Sequence, residues 1–209
     1  KALTAGMRVN LESVSKKFRR DWIFRNLSYE FIEGESYAVL GPNGSGKSTL
    51  LQLIAGNISP TEGEIKYLHK GQNIPVEEVY RCIGMSAPYL QLIEELTLTE
   101  HLYFHAKFKS FINNSCPAEI IEILGMEKHK VKYIRNFSSG MKQRVKLALS
   151  ILTDAPLVLL DEPLTNLDHE GKQWYLEIIE KYLQNRSLII CSNRQDEYDF
   201  CNHRINLGG

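Results

Sequence analysis

Three short stretches of this chain carry reactive side chains at spacings that ordinary composition does not explain. The first is "GPNGSGKST", Gly41 to Thr49, which fits the pattern G-x-x-x-x-G-K-[ST]. Glycines at these positions let the backbone curl with successive N–H groups pointing inward, as a phosphate requires. A helix beginning just after the loop turns its positive end on the same anion. Lys47 adds a full charge for the outer phosphates, and Ser48 adds a hydroxyl for Mg²⁺. The bland alternative is a glycine-rich turn with a chance lysine. Its surroundings argue against that: the apolar run "SYAVL" leads straight in, and "TLLQLIAGN", spaced as a helix, leads out.

The second stretch, "LVLLDEP", ends an apolar run with Asp161 and Glu162. Neighbouring strand residues face opposite ways, so the two carboxylates should have different tasks. Asp161 is expected as an outer ligand of the same Mg²⁺. Glu162 is expected as general base, or water-orienting group, for attack on a γ-phosphate. Four apolar residues ahead of the acids mark a buried strand, and such a strand ends at the ligand crevice of an α/β sheet. The third stretch is "FSSGMKQR". Ser138 and Ser139 precede Gly140 and the helical pattern "MKQRVKLALSIL", which makes a hydroxyl-capped helix N-terminus and a second anion site. Two phosphate-binding helix ends for one nucleotide pose a question of stoichiometry.

The elements that must hold these residues can be read along the chain. "MRVNLESVSKKF" alternates apolar and polar residues as a strand does, and "WIFRNLSYEFIEGE" continues as strand with a glycine turn. "EIKYL" is a further strand after the turn "SPTEG". From about Pro88 to Leu149 the patterns become helical: "LTLTEHLYFHAKFKSF", "PAEIIEILGM" and "GMKQRVKLALSIL". Beyond them come the strand "PLVLLDEP", the helix "EGKQWYLEIIEKYLQN", the strand "SLIICSN" and a short strand in "HRINLGG". Strands alternating with helices around a helical block predict an α/β core with an inserted helical sub-domain.

Composition sets the outer bounds. The chain has 209 residues, 43% hydrophobic and 24% charged, which suits one sizeable domain with a real core. Its 25 basic and 25 acidic side chains cancel, so the footprint of a nucleic-acid binder is missing; the basic run "SKKFRR" reads as a solvated face. Cys82, Cys116, Cys191 and Cys201 show no C-x-x-C spacing, which speaks against a zinc site or disulfide scaffold and for a reducing, cytoplasmic setting. No apolar run approaches a bilayer span and no signal peptide is evident. Met7 reads as a native start, with "KALTAG" as an added leader. The triplets "NLS", "NIS", "NNS" and "NRS" match a glycosylation acceptor but mean nothing in a cytoplasmic protein.

Taken together the motifs resemble the ATP-binding subunit of an ABC transporter, over nearly the whole chain. The phosphate loop is Gly41, Pro42, Asn43, Gly44, Ser45, Gly46, Lys47, Ser48 and Thr49; "LLDEP" matches the Walker B strand. "FSSGM", with Ser138, Ser139, Gly140 and Met141, sits at the place of the LSGGQ signature, and "LTNLD", ending at Asp168, resembles the D-loop. The resemblance implies a P-loop NTPase of ABC type: a parallel-sheet core, an N-terminal antiparallel β sub-domain and an inserted helical sub-domain. It implies one domain over 1–209, with the β sub-domain and first part of the core at about 7–87, the helical sub-domain at 88–149 and the rest of the core at 150–209. It also implies ATP and Mg²⁺ as ligands, and a head-to-tail homodimer or heterodimer in which one chain's signature helix meets the other's ATP. That arrangement answers the question of stoichiometry. An upstream aromatic that stacks on adenine falls at Phe18, with Trp22 second. The remaining partner implied is a transmembrane permease subunit, with the chain peripheral on the inner face of the membrane. The "SSGM" form resembles exporters of the haem, drug and polysaccharide type.

Two positions depart from the family. Where it carries a glutamine that touches Mg²⁺ and the attacking water, register with "LTLTEHL" places Pro88, and Gln91 lies three residues on as a substitute. Where it carries a histidine contacting the γ-phosphate, this chain has Asn193. A neutral amide donates a hydrogen bond to an anionic oxygen but carries no proton. Asn193 is therefore expected to join Lys47 and Glu162 in catalysis as a γ-phosphate sensor without acid–base chemistry. Two other readings stay open: an ATP-sensing protein impaired in hydrolysis, and a soluble ATPase of the iron–sulfur assembly type. Of the lesser candidates, His101 and His105 lie one helical turn apart among Leu, Tyr and Phe, as a core-facing helix would place them. Glu94 and Glu95 fall where the family has the groove for the membrane subunit's coupling helix, or are a plain solvated pair.

Overall fold

A computed structural model describes residues 5–207. Residues 1–4 of the leader reading and the last two glycines of "HRINLGG" lie outside the described residues. An antiparallel sheet of four strands comes first: β1 (Arg8–Phe18), β2 (Asp21–Phe31), β4 (Glu62–His69) and β5 (Gln72–Asn73), in the order β2-β1-β4-β5. A parallel sheet of five holds β3 (Ser36–Leu40), β6 (Ile83–Ser86), β7 (Leu157–Asp161), β8 (Ser187–Cys191) and β9 (His203–Asn206), in the order β6-β7-β8-β3-β9. The helices are α1 (Lys47–Ile54), α2 (Leu98–Ala106), α3 (Pro117–Leu124), α4 (Ser139–Ile151), α5 (His169–Tyr182) and the single turn α6 (Gln195–Tyr198).

The two sheets read differently in sequence because they are buried differently. In β1 only one face is covered, with Val9, Leu11 and Val14 buried. In β7 and β8 every residue is buried, so both read as unbroken apolar runs. Alternate residues then serve two cores. Leu157, Leu159 and Ile189 pack with α1 and the antiparallel sheet, while Val158, Leu160, Leu188 and Ile190 pack with α4 and α5. Each such fully buried side chain contributes about 1.5–3 kcal/mol.

The helical block is held by its ends and by its contact with the core. Thr97 caps α2 and exchanges hydrogen bonds with Glu100, a capping box that satisfies two otherwise free N–H groups. Gly125 ends α3 at φ 64°. Helix α4 runs through residue 149, the expected sub-domain limit, to Ile151, and its C-terminal half lies on β6. The approach is so close that a Cβ on Gly84 would stand 2.0 Å from the Ser150 carbonyl oxygen. No helix among the described residues is long and apolar enough to cross a membrane.

Candidate functional site

Strand order brings together residues far apart in sequence. Strands β3, β7 and β8 are parallel neighbours, so the segments following all three open along one edge of the sheet. The loop after β3 is "GPNGSG". Gly41 takes φ 152°, and a Cβ there would meet the Leu207 carbonyl oxygen at 2.3 Å, so no side chain fits. Helix α1 begins at Lys47, which is nearly buried, with its Nζ donating to the carbonyls of Gly41 (2.6 Å) and Pro42 (3.1 Å). The lysine thus sits over the loop it belongs to, with carbonyl partners that an anion of higher charge can replace.

At the end of β7, Asp161 is buried at 3% exposure and hydrogen-bonds the Ser48 hydroxyl. Burial pushes its carboxyl above the usual range and the Glu162 charge adds to this, while the Ser48 bond and Lys47 oppose it. Glu162, the first residue beyond β7, is exposed to solvent. It holds φ 47°, an uncommon conformation for a non-glycine residue that costs about 1–3 kcal/mol. Its N–H donates to the Cys191 carbonyl at 2.9 Å, so the end of β8 fixes it there. A cavity of about 380 Å³ is lined by Asn43, Gly44, Gly46, Lys47, Ser48 and Thr49 together with Glu162 and, from β2, Ile23.

Asn193 follows β8, and its amide Nδ2 donates to the Asn43 side-chain oxygen at 3.2 Å. That places it against the phosphate loop. Phe18 stands 48% exposed at the end of β1, with the Lys16 ammonium 4.9 Å from its ring centre. Trp22 is covered instead by the Arg25 guanidinium at 4.0 Å. Neither aromatic lines the 380 Å³ cavity; Ile23 does.

The signature residues form a second, separate cavity of about 280 Å³. Ser138 caps α4, its Oγ accepting from the Met141 N–H at 3.2 Å. Ser139, Gly140 and Met141 line the cavity with Arg144, Asn166, Leu167 and Asp168. Asp168 also caps α5, accepting from the Gly171 N–H at 2.8 Å. The buried Gln143 donates to the Pro163 carbonyl at 2.9 Å, tying α4 to the loop after Glu162. The two cavities share no lining residue.

At the expected glutamine position, neither Pro88 nor Gln91 lines the phosphate-loop cavity. Pro88 offers only its carbonyl, to Lys146 at 3.4 Å. Gln91 lines another cleft, between β6, α2 and α4, and not the phosphate-loop cavity. The same loop carries Tyr89. Its hydroxyl hydrogen-bonds Gln52, one helical turn beyond Ser48, and burial together with the Asp161 and Cys191 charges pushes it up to about 12. Sequence reasoning missed Tyr89 because it tested the loop only for an amide. It also missed Glu197, buried at 1% exposure, whose Oε1 accepts from the Leu164 N–H at 3.0 Å. That contact joins the segment after Asn193 to the loop after Glu162; an acid in "RQDEY" gives no sign of burial.

Comparison with known proteins bears on the family and the fold. The family model described as ABC transporter matches residues 24–165. The Bacillus subtilis ABC transporter ATP-binding protein YcbN is 33% identical over 163 residues, covering 78% of this chain and 53% of that protein. The mouse phospholipid-transporting ATPase ABCA3 is 28% identical over 210 residues, covering 97% of this chain and 12% of that protein. The chain therefore spans about half the length of the first relative and about an eighth of the second. Among solved structures, the dimeric post-hydrolysis state of the ATP-binding cassette MJ0796, bound to ADP and Pi, superimposes with a TM-score of 0.81 at 24% identity. That match covers 95% of this chain and 94% of the other, and it shows a shared fold.

Proposed function

We propose, from the premise that the chain belongs to the ABC transporter family, that its phosphate loop binds ATP with Mg²⁺ and hydrolyses it as the motor of a transporter. The observation that carries this reading is Glu162. It is held in a costly backbone conformation by the end of β8 and lines the same cavity as Lys47 and Ser48. A strand end needing only solubility would not require that conformation.

The roles follow from the contacts. Asn43, Gly44, Ser45, Gly46 and Thr49 wrap the phosphates with backbone N–H groups and the start of α1, while Gly41 and Pro42, which has no N–H to give, shape the entry to the loop. Lys47 exchanges its carbonyl partners for phosphate oxygens. Ser48 and Asp161 supply a hydroxyl and a carboxylate oxygen, a donor set that fits a hard divalent cation, and Asp161 is a buried acid whose charge is otherwise costly. Mg²⁺ held by Ser48 and Asp161 would supply positive charge to the phosphates. Glu162 takes the proton of the attacking water. Asn193 leaves Asn43 and donates its amide N–H to the γ-phosphate, while Tyr89 fills the place of the expected glutamine beside Asp161. Phe18 is the adenine-stacking residue.

The separate signature cavity is read as the partner chain's half of a composite site. Ser138, Ser139 and Gly140 at the start of α4 then meet the other subunit's ATP, with Met141 and Asp168 flanking. The dimer, homotypic or heterotypic, drives a transmembrane permease from the inner face of the membrane, in the export direction. Support for export comes from the "SSGM" signature, and the similarity to a phospholipid-transporting ATPase supports a role in transport.

Glu162→Gln tests the assignment. The variant should bind ATP as before, form an ATP-dependent dimer in sedimentation, and turn ATP over about 10²–10⁴ times more slowly. Turnover within a few-fold of the native rate would remove Glu162 from the reaction.

A further inference from the structure

The strained backbone of Glu162 is held from several sides, and one of the holders lies outside the phosphate-loop cavity. Glu162 keeps φ 47°, with its N–H on the Cys191 carbonyl and its own carbonyl accepting from the Thr165 N–H at 3.2 Å. Pro163 follows, and its ring fixes the next φ. The peptide unit between Pro163 and Leu164 is then clamped at both ends by buried side chains. Its carbonyl accepts from the Gln143 Nε2 at 2.9 Å, and its N–H donates to the Glu197 Oε1 at 3.0 Å. A span fixed in this way leaves Glu162 little room to swing out of the cavity it lines.

Glu197 differs from Gln143 in what stands behind it. It lies on α6, four residues after Asn193, and is 1% exposed. Its N–H donates to the Arg194 carbonyl at 3.0 Å, and its carbonyl accepts from the Tyr175 hydroxyl of α5 at 3.2 Å, so its backbone is anchored. Burial raises its carboxyl above the usual range, against the opposing bonds from Ser192 and Leu164. An acid is a costly way to satisfy one buried N–H, because taking a carboxylate out of water costs more than burying a neutral amide. What the carboxyl adds is a strong acceptor that reaches from the segment carrying Asn193 to the loop behind Glu162.

We propose that Glu197 is a positioning residue for ATP hydrolysis: it fixes the Pro163–Leu164 peptide, and through it holds the Glu162 carboxylate at the phosphate loop in register with Asn193. The inference rests on the hydrolysis proposed above and deepens it. Glu197 is not among the residues lining the cavity, so it acts through Glu162.

Turnover and ATP affinity test this for Glu197→Met and Glu197→Gln, each made in the native chain and in Glu162→Gln. The methionine form should lose about tenfold or more in kcat, with KM and ATP affinity within about twofold of native. The glutamine form keeps an acceptor for the Leu164 N–H and should recover most of that loss. In the Glu162→Gln background the methionine change should add no further loss, since a group acting through Glu162 has nothing left to position. A general defect of folding would lower the rate by the same factor in both backgrounds. That equal loss, a matching loss of ATP affinity, or a methionine form at the native rate overturns the proposal. Glu162→Gln alone at a near-native rate removes the hydrolytic assignment as well, whereas a slow Glu162→Gln beside an unaltered methionine form removes Glu197 only. Should the methionine form not fold, hydrogen exchange at the Leu164 amide of the unchanged chain decides: protection is expected, and exchange as fast as that of an exposed loop amide overturns the proposal.

Discussion

On the proposed function, Asn193 is the residue on which turnover depends most narrowly. Its amide already faces the phosphate loop through Asn43. One neutral hydrogen bond to the transition state is worth about 1–1.5 kcal/mol, so Asn193→Ala should lower kcat about tenfold. Asn193→His should restore a contact but add a titration near pH 6.5 that the native profile lacks. Measuring kcat against pH for the three forms checks both statements; an alanine form at full rate would make Asn193 a bystander. Asp161 gives a second residue-level prediction, with a sign opposite to that of most acids. Its folded pKa is raised, mainly by burial, so the folded state favours the protonated form. Stability from this group is therefore present below the unfolded carboxylate range and is lost as pH rises through the folded value. At neutral pH the metal-free chain bears that cost, and Asp161→Asn should raise its Tm by about 2–4 °C for about 1 kcal/mol. The same change should abolish any Tm gain from Mg²⁺ added with ADP. A lower Tm in EDTA would show that the Ser48 bond outweighs the burial.

Among the elements, the junction of α4, α5 and β8 rests on one side chain. Arg186, 3% exposed, donates to the carbonyls of Ile151 (2.7 Å) and Thr153 (3.0 Å) at the end of α4, and of Tyr182 (2.5 Å) and Leu183 (3.3 Å) at the end of α5. It neutralises two helix C-termini and satisfies carbonyls that have no intrahelical partner. Arg186→Met should cost about 3–5 kcal/mol in denaturant unfolding. Arg186→Lys should recover little, because one ammonium cannot span four carbonyls. None of this shows in "NRS", a polar triplet before a strand. What did show were the elements whose burial is uniform or periodic: β3, β7 and β8 as apolar runs, α5 by its helical stripe, and the phosphate loop by its glycines. The loop at Pro88 lies at the other limit: spacing locates the position, but where Pro88, Tyr89 and Gln91 each turn depends on the path of the loop past α4 and β6.

Over the whole molecule, the phosphate-loop and signature cavities are built to similar standards yet share no residue. Each has an α-helix start, a capped or wrapped backbone and a facing acid, Glu162 in one and Asp168 in the other. The sequence makes both halves legible, because hydroxyls and glycines ahead of helices are local signals. It leaves their separation unstated, since that depends on α4 lying across β6 while α1 lies on the opposite side of the sheet. On the proposed function a monomer holds half of each composite site, and turnover is predicted to need two chains. ATP turnover per chain, measured as protein concentration is raised, tests this most directly. The dimeric motor gives a specific rate that climbs with concentration and levels off, and that vanishes with Glu162→Gln. A specific rate flat from the lowest concentration, at which sedimentation shows monomers in saturating ATP, would mean that a single chain hydrolyses ATP unaided and that the signature cavity serves some other purpose.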